Sequence, residues 1–274
     1  MSIVMPTYNS SEALLTKSIE SALAQTFADW ELIIVDDAST NDTARLLDAW
    51  TKRDSRIKVV HKEKNEFRTL GISGSLNRGI ALAQGKFIAR LDHDDYWIDH
   101  DKLKKQIAFM DAHPDCVVVG GGVVVVDPDG KEQFRYFKKE TDDAIRKSAL
   151  FANPFSHTTV LFRKDVAGKV GNYQGKHIED WDLWLRMGRR GTFYNFQEYF
   201  VAYAMTGTNS SFVNQRALSR AVLKLLVREK KGYPSFTKAY TLNLVQYIYA
   251  ILPFPAAFRA WMHSSLVQLK RKAF

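Results

Sequence analysis

Over the first 126 residues, short apolar runs alternate with stretches of helical spacing. Residues 2–5 predict a strand, and Leu14, Leu15, Ile19, Ala22 and Leu23 then recur at helical intervals. Residues 31–35 predict a second strand, ending in Asp36-Asp37; Ser39 is placed to cap the next helix, with Asp42 in its first turn. A third strand is expected at 57–60, and Ile72, Leu76, Ile80 and Ala83 mark a helix closed by Gly85. Residues 87–91 predict a fourth strand that runs into Asp92. Leu103, Ile107 and Met110 mark a helix stopped by Pro114, and 116–126 reads as a long buried strand. Beyond residue 127 the alternation weakens. Asp127-Pro128-Asp129-Gly130 reads as a hairpin turn, 158–162 as a strand, and 178–190 as a short helix rich in acids and tryptophans. Two basic helical segments finish the chain.

Strands alternating with helices predict an α/β fold with a mainly parallel sheet covered on both faces. Ligands of such sheets bind beyond the carboxyl ends of the strands. Three polar clusters fall at such ends: Thr7-Tyr8-Asn9, Asp36-Asp37 and Asp92-His93-Asp94-Asp95. Each alone is ordinary loop chemistry; together they predict one cleft.

Composition narrows the reading in two places. A chain of 274 residues with 46% hydrophobic and 25% charged side chains suits one large domain, or a core with an appendage. The single cysteine, Cys116, lies inside an apolar run and is expected to be a small buried hydrophobe. The net charge of +9 is concentrated in the tail: residues 216–274 carry eleven Lys and Arg against one acid, Glu229, whereas the preceding 215 residues carry 28 basic and 29 acidic side chains. A neutral body argues against a nucleic-acid partner. A basic tail points to an anionic docking surface. The opening has no charged-then-apolar leader pattern, so the expected location is cytoplasmic.

The chemistry of the clusters follows from residue type. Asp92 and Asp94, at i and i+2 on a strand-to-loop bend, can face one hard cation held jointly with substrate phosphates, or be a solvated acidic loop. Zinc is disfavoured because His93 is expected to point away from its neighbours. Asp36 and Asp37 can accept from a nucleobase N–H or a ribose hydroxyl, or serve in helix capping.

Five blocks resemble family 2 glycosyltransferases of the GT-A fold. They are 2–9 (SIVMPTYN), 21–27 (SALAQTF), 33–40 (IIVDDAST), 77–95 (NRGIALAQGKFIARLDHDD) and 178–186 (IEDWDLWLR). Their order and spacing also agree with the family, over about residues 2–205. The resemblance implies a Rossmann-like nucleotide-binding sheet flanked by helices and a C-terminal basic helical appendage. It also implies an inverting, metal-dependent transfer of a sugar from a nucleotide-diphosphate sugar, most often a UDP-sugar, to a saccharide hydroxyl. It divides the chain into a glycosyltransferase domain, 1–205, with a nucleotide-sugar half to about 110 and an acceptor half after it, and a tail, 206–274. Residue by residue, it implies donor contacts at Pro6, Thr7, Tyr8, Asp36, Asp37, Arg68, Asn77, Asp92 and His157. Mn²⁺ or Mg²⁺ would sit on Asp94 and Asp92, the general base would be Asp180, and Glu179 and Trp181 would meet the acceptor. Asp95 has a weaker claim. Trp181 and Trp184 flank the base and could stack on sugar faces, with core packing favoured for Trp184. Two departures from the family pattern stand out: Gly71-Ile72-Ser73-Gly74-Ser75-Leu76 before Asn77, and His93 where a small residue is usual.

In the tail, Arg216, Arg220, Lys224 and Arg228 form a basic stripe opposite Leu218, Ala221, Val222, Leu225 and Leu226. Residues 239–258 carry no charge, but Asn243, Gln246, Pro253 and Pro255 weaken a span; the aromatic content and flanking Lys and Arg favour a membrane interface, with ordinary helix packing as the alternative. Lys270-Arg271-Lys272 would add attraction to anionic lipid. The expectation is peripheral attachment of residues 216–274 to the cytoplasmic face of the membrane, with a lipid-linked saccharide as acceptor. Competing readings are a polyprenyl-phosphate sugar synthase, which needs no base, and a non-catalytic membrane-bound nucleotide-sugar binder. A sugar nucleotidylyltransferase is disfavoured because Pro6-Thr7-Tyr8-Asn9 is not a Gly-rich phosphate loop.

Overall fold

A computed structural model describes residues 1–205 and 215–252. In chain order the first half comprises β1 (Ser2–Thr7), α1 (Glu12–Leu23), β2 (Glu31–Asp36), α2 (Thr43–Arg53), β3 (Ile57–His61), α3 (Phe67–Leu70), α4 (Ser73–Leu82), β4 (Phe87–Arg90), β5 (Tyr96–Trp97) and α5 (Lys102–Ala112). The second half comprises β6 (Cys116–Val126), β7 (Glu132–Tyr136), α6 (Asp142–Ser148), β8 (Leu161–Arg163), α7 (Lys164–Lys169), α8 (Glu179–Gly188), β9 (Thr192–Ala204), α9 (Gln215–Glu229) and α10 (Phe236–Ile251).

The described strands form one sheet in the order β3-β2-β1-β4-β8-β6-β9-β5, with β7 beside β6. Strands β1 to β4 are parallel, as the alternation predicts. Alternate residues of these strands feed two cores. Val4, Ile33, Val35 and Ile88 pack with α4 and α8 on one face, while Ile3, Met5, Leu32 and Ile34 pack with α1 and α2 on the other. Burial on both faces explains why these strands read as unbroken apolar runs.

Past residue 110 the sheet becomes mixed. Strand β8 is antiparallel to both β4 and β6, and β7 folds back on β6 as the hairpin turn predicts. Strand β9, which periodicity does not reveal, runs parallel to β6 along most of its length. Its register shifts near Gly120–Gly122, and Gln197 and Glu198 are exposed. A strand that changes face partway along has no single period to read.

Three local expectations are corrected. The helix after Asp37 starts at Thr43, not at Ser39, because the Ser39 hydroxyl and amide both bond Asp36. Helix α4 ends at Ala83 in extended backbone, and Gly85 is instead a close-approach glycine: a Cβ there would lie 2.5 Å from the Met1 backbone. The strand expected at 158–162 is shortened to Leu161–Arg163, since His157–Thr159 coils into a 3-10 turn.

The tail helices are not free. Val222, Leu225 and Leu226 of α9 and Ala239 of α10 belong to the same core as Leu183 and Trp184 of α8. Arg228 pairs with Asp182, and the Tyr233 hydroxyl donates to the Leu185 carbonyl at 2.8 Å. The apolar stripe of α9 therefore covers α8 instead of facing a lipid surface. On α10, Val245 and Ile248 stay exposed, as does Leu252 just past its end. No helix among the described residues is long and apolar enough to cross a membrane. Lys270-Arg271-Lys272 and residues 253–258 of the uncharged run lie outside the described residues.

Candidate active site

Strands β1, β2 and β4 end side by side, which brings all three polar clusters to one edge of the sheet. Thr7 pairs with Asp36 in the β1–β2 register, and the Asp37 amide donates to the Thr7 carbonyl at 2.9 Å. Pro6 is buried, and its carbonyl lies 3.3 Å from His93 Nδ1, so His93 turns towards β1. Tyr8 is exposed.

The β2 cluster is bonded by its own surroundings. Asp36 accepts the Ser39 amide at 3.0 Å through Oδ1 and faces His61 Nδ1 at 2.9 Å through Oδ2. Ala38 adopts a left-handed backbone (φ 61°), which folds Ser39 back onto Asp36. Asp37 Oδ1 accepts from Lys62 and, at 3.3 Å, from the Glu66 amide. Burial opposes the charge on Lys62, yet its bonds to Asp37 and Glu66 raise its pKa overall.

The β4 cluster is different. Arg90, fully buried, donates to the Val4 carbonyl (2.7 Å), to Asp92 Oδ1 (2.5 Å) and to His157 Nε2 (3.1 Å). An arginine is always the donor, so His157 Nε2 carries the lone pair. The Tyr173 hydroxyl also meets that atom, at 2.8 Å. Burial and the Arg90 charge push His157 down to about 4, keeping it neutral at pH 7. Burial opposes ionisation of Asp92, but the charge and hydrogen bond of Arg90 outweigh it and hold the carboxyl below the usual range. Asp94 goes the other way: burial and Asp92 raise it, partly offset by His93. Asp95 is raised well above the carboxylate range by burial, Asp92 and Asp94. Its Oδ1 accepts the Ala204 amide at 3.1 Å, and the Thr158 hydroxyl lies against the carboxyl.

Across the cleft, α8 presents Asp180 in its first turn. Asp180 Oδ2 accepts from Asn153 at 2.6 Å, and Oδ1 from the Trp181 amide at 2.7 Å. Burial and the neighbouring Asp180 push Glu179 up to about 7, and its Oε2 is buried without a partner. His157, Tyr173 and Glu179 each lie within electrostatic reach of both Asp92 and Asp180.

Two expected contacts, Trp181 and Asn77, fall elsewhere. Trp181 is 7% exposed and donates its indole N–H to the Ala149 carbonyl at 2.8 Å, so it packs in the core and is not open to an acceptor. Trp184 is likewise core. Asn77 spends both ends of its amide on the Tyr173 backbone, at 2.9 and 3.1 Å, and so acts on the site through the 171–178 loop. Arg68 is exposed on α3, where Lys176 holds its carbonyl. Two residues escaped the sequence reading. Arg90 had a signal, a lone charge inside a buried strand. Lys138, close enough to Asp180 to feel its charge, had none, because only the β7 hairpin carries it there.

Among the described residues no three His, Cys, Asp or Glu side chains converge as a cage for a metal ion. One or two carboxylates suffice for Mg²⁺ or Mn²⁺ when substrate phosphates complete the shell. Asp92 and Asp94, hard oxygen donors with crowded charge, fit that role.

The family model for glycosyl transferase family 2 matches residues 2–171. The chain is 36% identical over 206 residues to EpsE of Bacillus subtilis, covering 72% of this chain and 70% of EpsE. It is 31% identical over 188 residues to the amylovoran biosynthesis glycosyltransferase AmsE of Erwinia amylovora, covering 68% of each. Among solved structures, S. aureus TarS 1-349 in complex with UDP-GlcNAc superposes with a TM-score of 0.67 at 20% identity, over 90% of this chain and 71% of that one. The mannosyltransferase PcManGT from Pyrobaculum calidifontis, in complex with GDP-Man and Mn²⁺, superposes with a TM-score of 0.68 at 15% identity, over 99% of this chain and 81% of that one. These structural likenesses establish the GT-A fold, and the sequence matches establish the family. The chain belongs to glycosyl transferase family 2.

Proposed function

We propose that this protein is an inverting, metal-dependent glycosyltransferase. It moves a sugar from a UDP-sugar to a hydroxyl of a lipid-linked saccharide in the assembly of a cell-surface polysaccharide. The observation that carries the reading is the shared reach of His157, Tyr173 and Glu179 to both Asp92 and Asp180, which makes the carboxylate edge and the α8 edge two walls of one cleft. UDP and polysaccharide enter by likeness: TarS is described with UDP-GlcNAc, and AmsE is named for amylovoran biosynthesis.

In this reading Thr7 and Asp37 meet the nucleobase, and Asp92 faces the ribose. Asp92 and Asp94 would hold Mn²⁺ or Mg²⁺, which when bound neutralises charge on the diphosphate leaving group. Arg90, itself held by neutral His157, fixes the rotamer of Asp92. Asp180 takes the proton of the acceptor hydroxyl as that oxygen bonds C1 and the nucleoside diphosphate departs from the opposite side. One base and one displacement invert C1. Asn153 orients the carboxylate of the base, and Tyr8 and exposed Arg68 flank the donor. Location at the cytoplasmic membrane face is supported by exposed Val245, Ile248 and Leu252 and by the basic composition of residues 216–274.

The test is a titration of UDP-, GDP- and dTDP-sugars into purified protein with Mn²⁺, Mg²⁺ or EDTA, alongside Asp94→Ala. Metal-dependent binding of a UDP-sugar, lost in Asp94→Ala, is expected. No binding of any donor under any metal condition would sink the proposal.

A further inference from the structure

The acceptor side of the cleft lacks the aromatic surface that Trp181 was expected to provide, yet the hairpin supplies another. Residues paired across a sheet project to the same face. Phe134 pairs with Val125, and Val125 pairs with Tyr203. Tyr136 pairs with Val123, one step along the same face. The three rings therefore stand on one face of the sheet.

That face leads to the reacting groups. The Tyr203 hydroxyl is pushed up by burial and by Asp95, Asp94 and Asp92, which puts it beside the carboxylate cluster. The Tyr136 hydroxyl meets Ser156 Oγ at 3.1 Å, next to His157. Lys138 Nζ lies 5.7 Å from the Tyr136 ring centre and within reach of Asp180. Phe134 continues the row outward, 6.3 Å from Tyr136, and is 50% exposed.

The other face of the hairpin is satisfied internally. Phe137 stacks on Tyr199 at 4.3 Å, and Arg135 covers the same ring at 4.9 Å. Among the described residues the nearest ring to Phe134 is Tyr136, and half of its surface stays open to a partner. The row offers ring faces beside hydroxyls and one ammonium. A purely apolar partner would leave the polar groups unmatched, whereas a pyranose presents an apolar C–H face and a polar rim together. The row is also continuous with the base, where the reacting hydroxyl must arrive.

We propose that Phe134, Tyr136 and Tyr203 form a platform that holds the pyranose units of the acceptor behind the one that reacts. This rests on the transferase reading above. The platform makes the enzyme select acceptors by length: a monosaccharide reaches only Asp180, whereas a di- or longer saccharide also lies on Phe134.

The probe is a glycan array of immobilised pyranose mono- to hexasaccharides, read for the full chain with UDP and Mn²⁺ in the buffer. UDP affinity is measured separately for every variant. The wild type is expected to retain at least one glycan of two or more units over its monosaccharide. Phe134→Ala and Phe134→Leu are expected to lose that retention about tenfold, with UDP affinity unchanged within twofold. Leucine keeps apolar bulk without a planar face, and Phe134 is exposed enough that neither change threatens folding. Tyr136→Phe, which keeps the ring, retains length selection. The platform is overturned if the wild type retains no glycan, if Phe134→Ala binds like wild type, or if it loses UDP to the same degree. Failure of wild-type UDP binding instead strikes the transferase reading and leaves glycan retention to be judged separately.

Discussion

Two acidic clusters lie on either side of β1, at the ends of β2 and β4, and the structure treats them oppositely. At the end of β2, Asp36 and Asp37 are met by Ser39, His61 and Lys62, so their charge is neutralised within the protein. Beyond β4, Asp92, Asp94 and Asp95 share one buried arginine, and that arginine bonds only Asp92. Burial and the neighbouring carboxylates raise Asp94 and Asp95. Sequence alone gives the two clusters equal standing. Their surroundings separate a scaffold that shapes a pocket from a cluster that leaves room for a cation.

The largest effects should fall on the uncompensated side. Asp180→Asn or Asp94→Asn is expected to lower turnover by about 10²–10⁴-fold while the melting temperature hardly moves. Equal loss of activity and stability would erase the distinction. A polyprenyl-phosphate acceptor, already ionised, would leave Asp180→Asn active. Asp36→Ala should do the reverse of Asp94→Asn, costing about 1–3 kcal/mol of unfolding free energy because the Ser39 amide and His61 lose their acceptor. Chemical denaturation measures it, and an unchanged midpoint would contradict the scaffold role.

Asp95→Asn sharpens the contrast with a gain. The amide keeps acceptors for the Ala204 N–H and the Thr158 hydroxyl and removes a buried carboxyl crowded by Asp92 and Asp94. The metal-free variant is expected to be more stable by about 1 kcal/mol, and destabilisation would count against it. Glu179 is pushed up to about 7 by burial and Asp180, so activity should show an inflection near neutral pH that vanishes in Glu179→Gln. An unchanged profile in the variant would assign the inflection to another group.

The smallest effect belongs to His61. Burial opposes its charge, but bonds to Asp36 and Asp48 raise its folded pKa above the ordinary 6.5. A raised base stabilises fully below 6.5, and the contribution is lost as pH climbs through the folded value. With 38% of the side chain exposed, the loss is expected to stay under about 1 kcal/mol. His61→Ala should flatten it.

Much of this was legible from residues alone. Strands β1, β2, β4 and β6 are buried along almost their whole lengths, and burial forces apolar runs that local pattern detects. The clusters that follow them were located for the same reason, since a parallel sheet puts its strand ends at one edge. Local pattern could not show β9, whose register shifts break its period, nor Trp181 turned inward by the Ala149 carbonyl. Nor could it show that the apolar stripe of α9 closes over α8: an amphipathic helix has the same sequence whether it covers lipid or protein. The sequence by itself determined the order of elements and which residues carry chemistry, because periodicity and residue type act over a few positions. Only the tertiary structure decided which carboxylates find a counter-charge and which aromatic rings stay open. Those partners come from 25 to 109 residues away, as with His61 for Asp36 and Ala204 for Asp95.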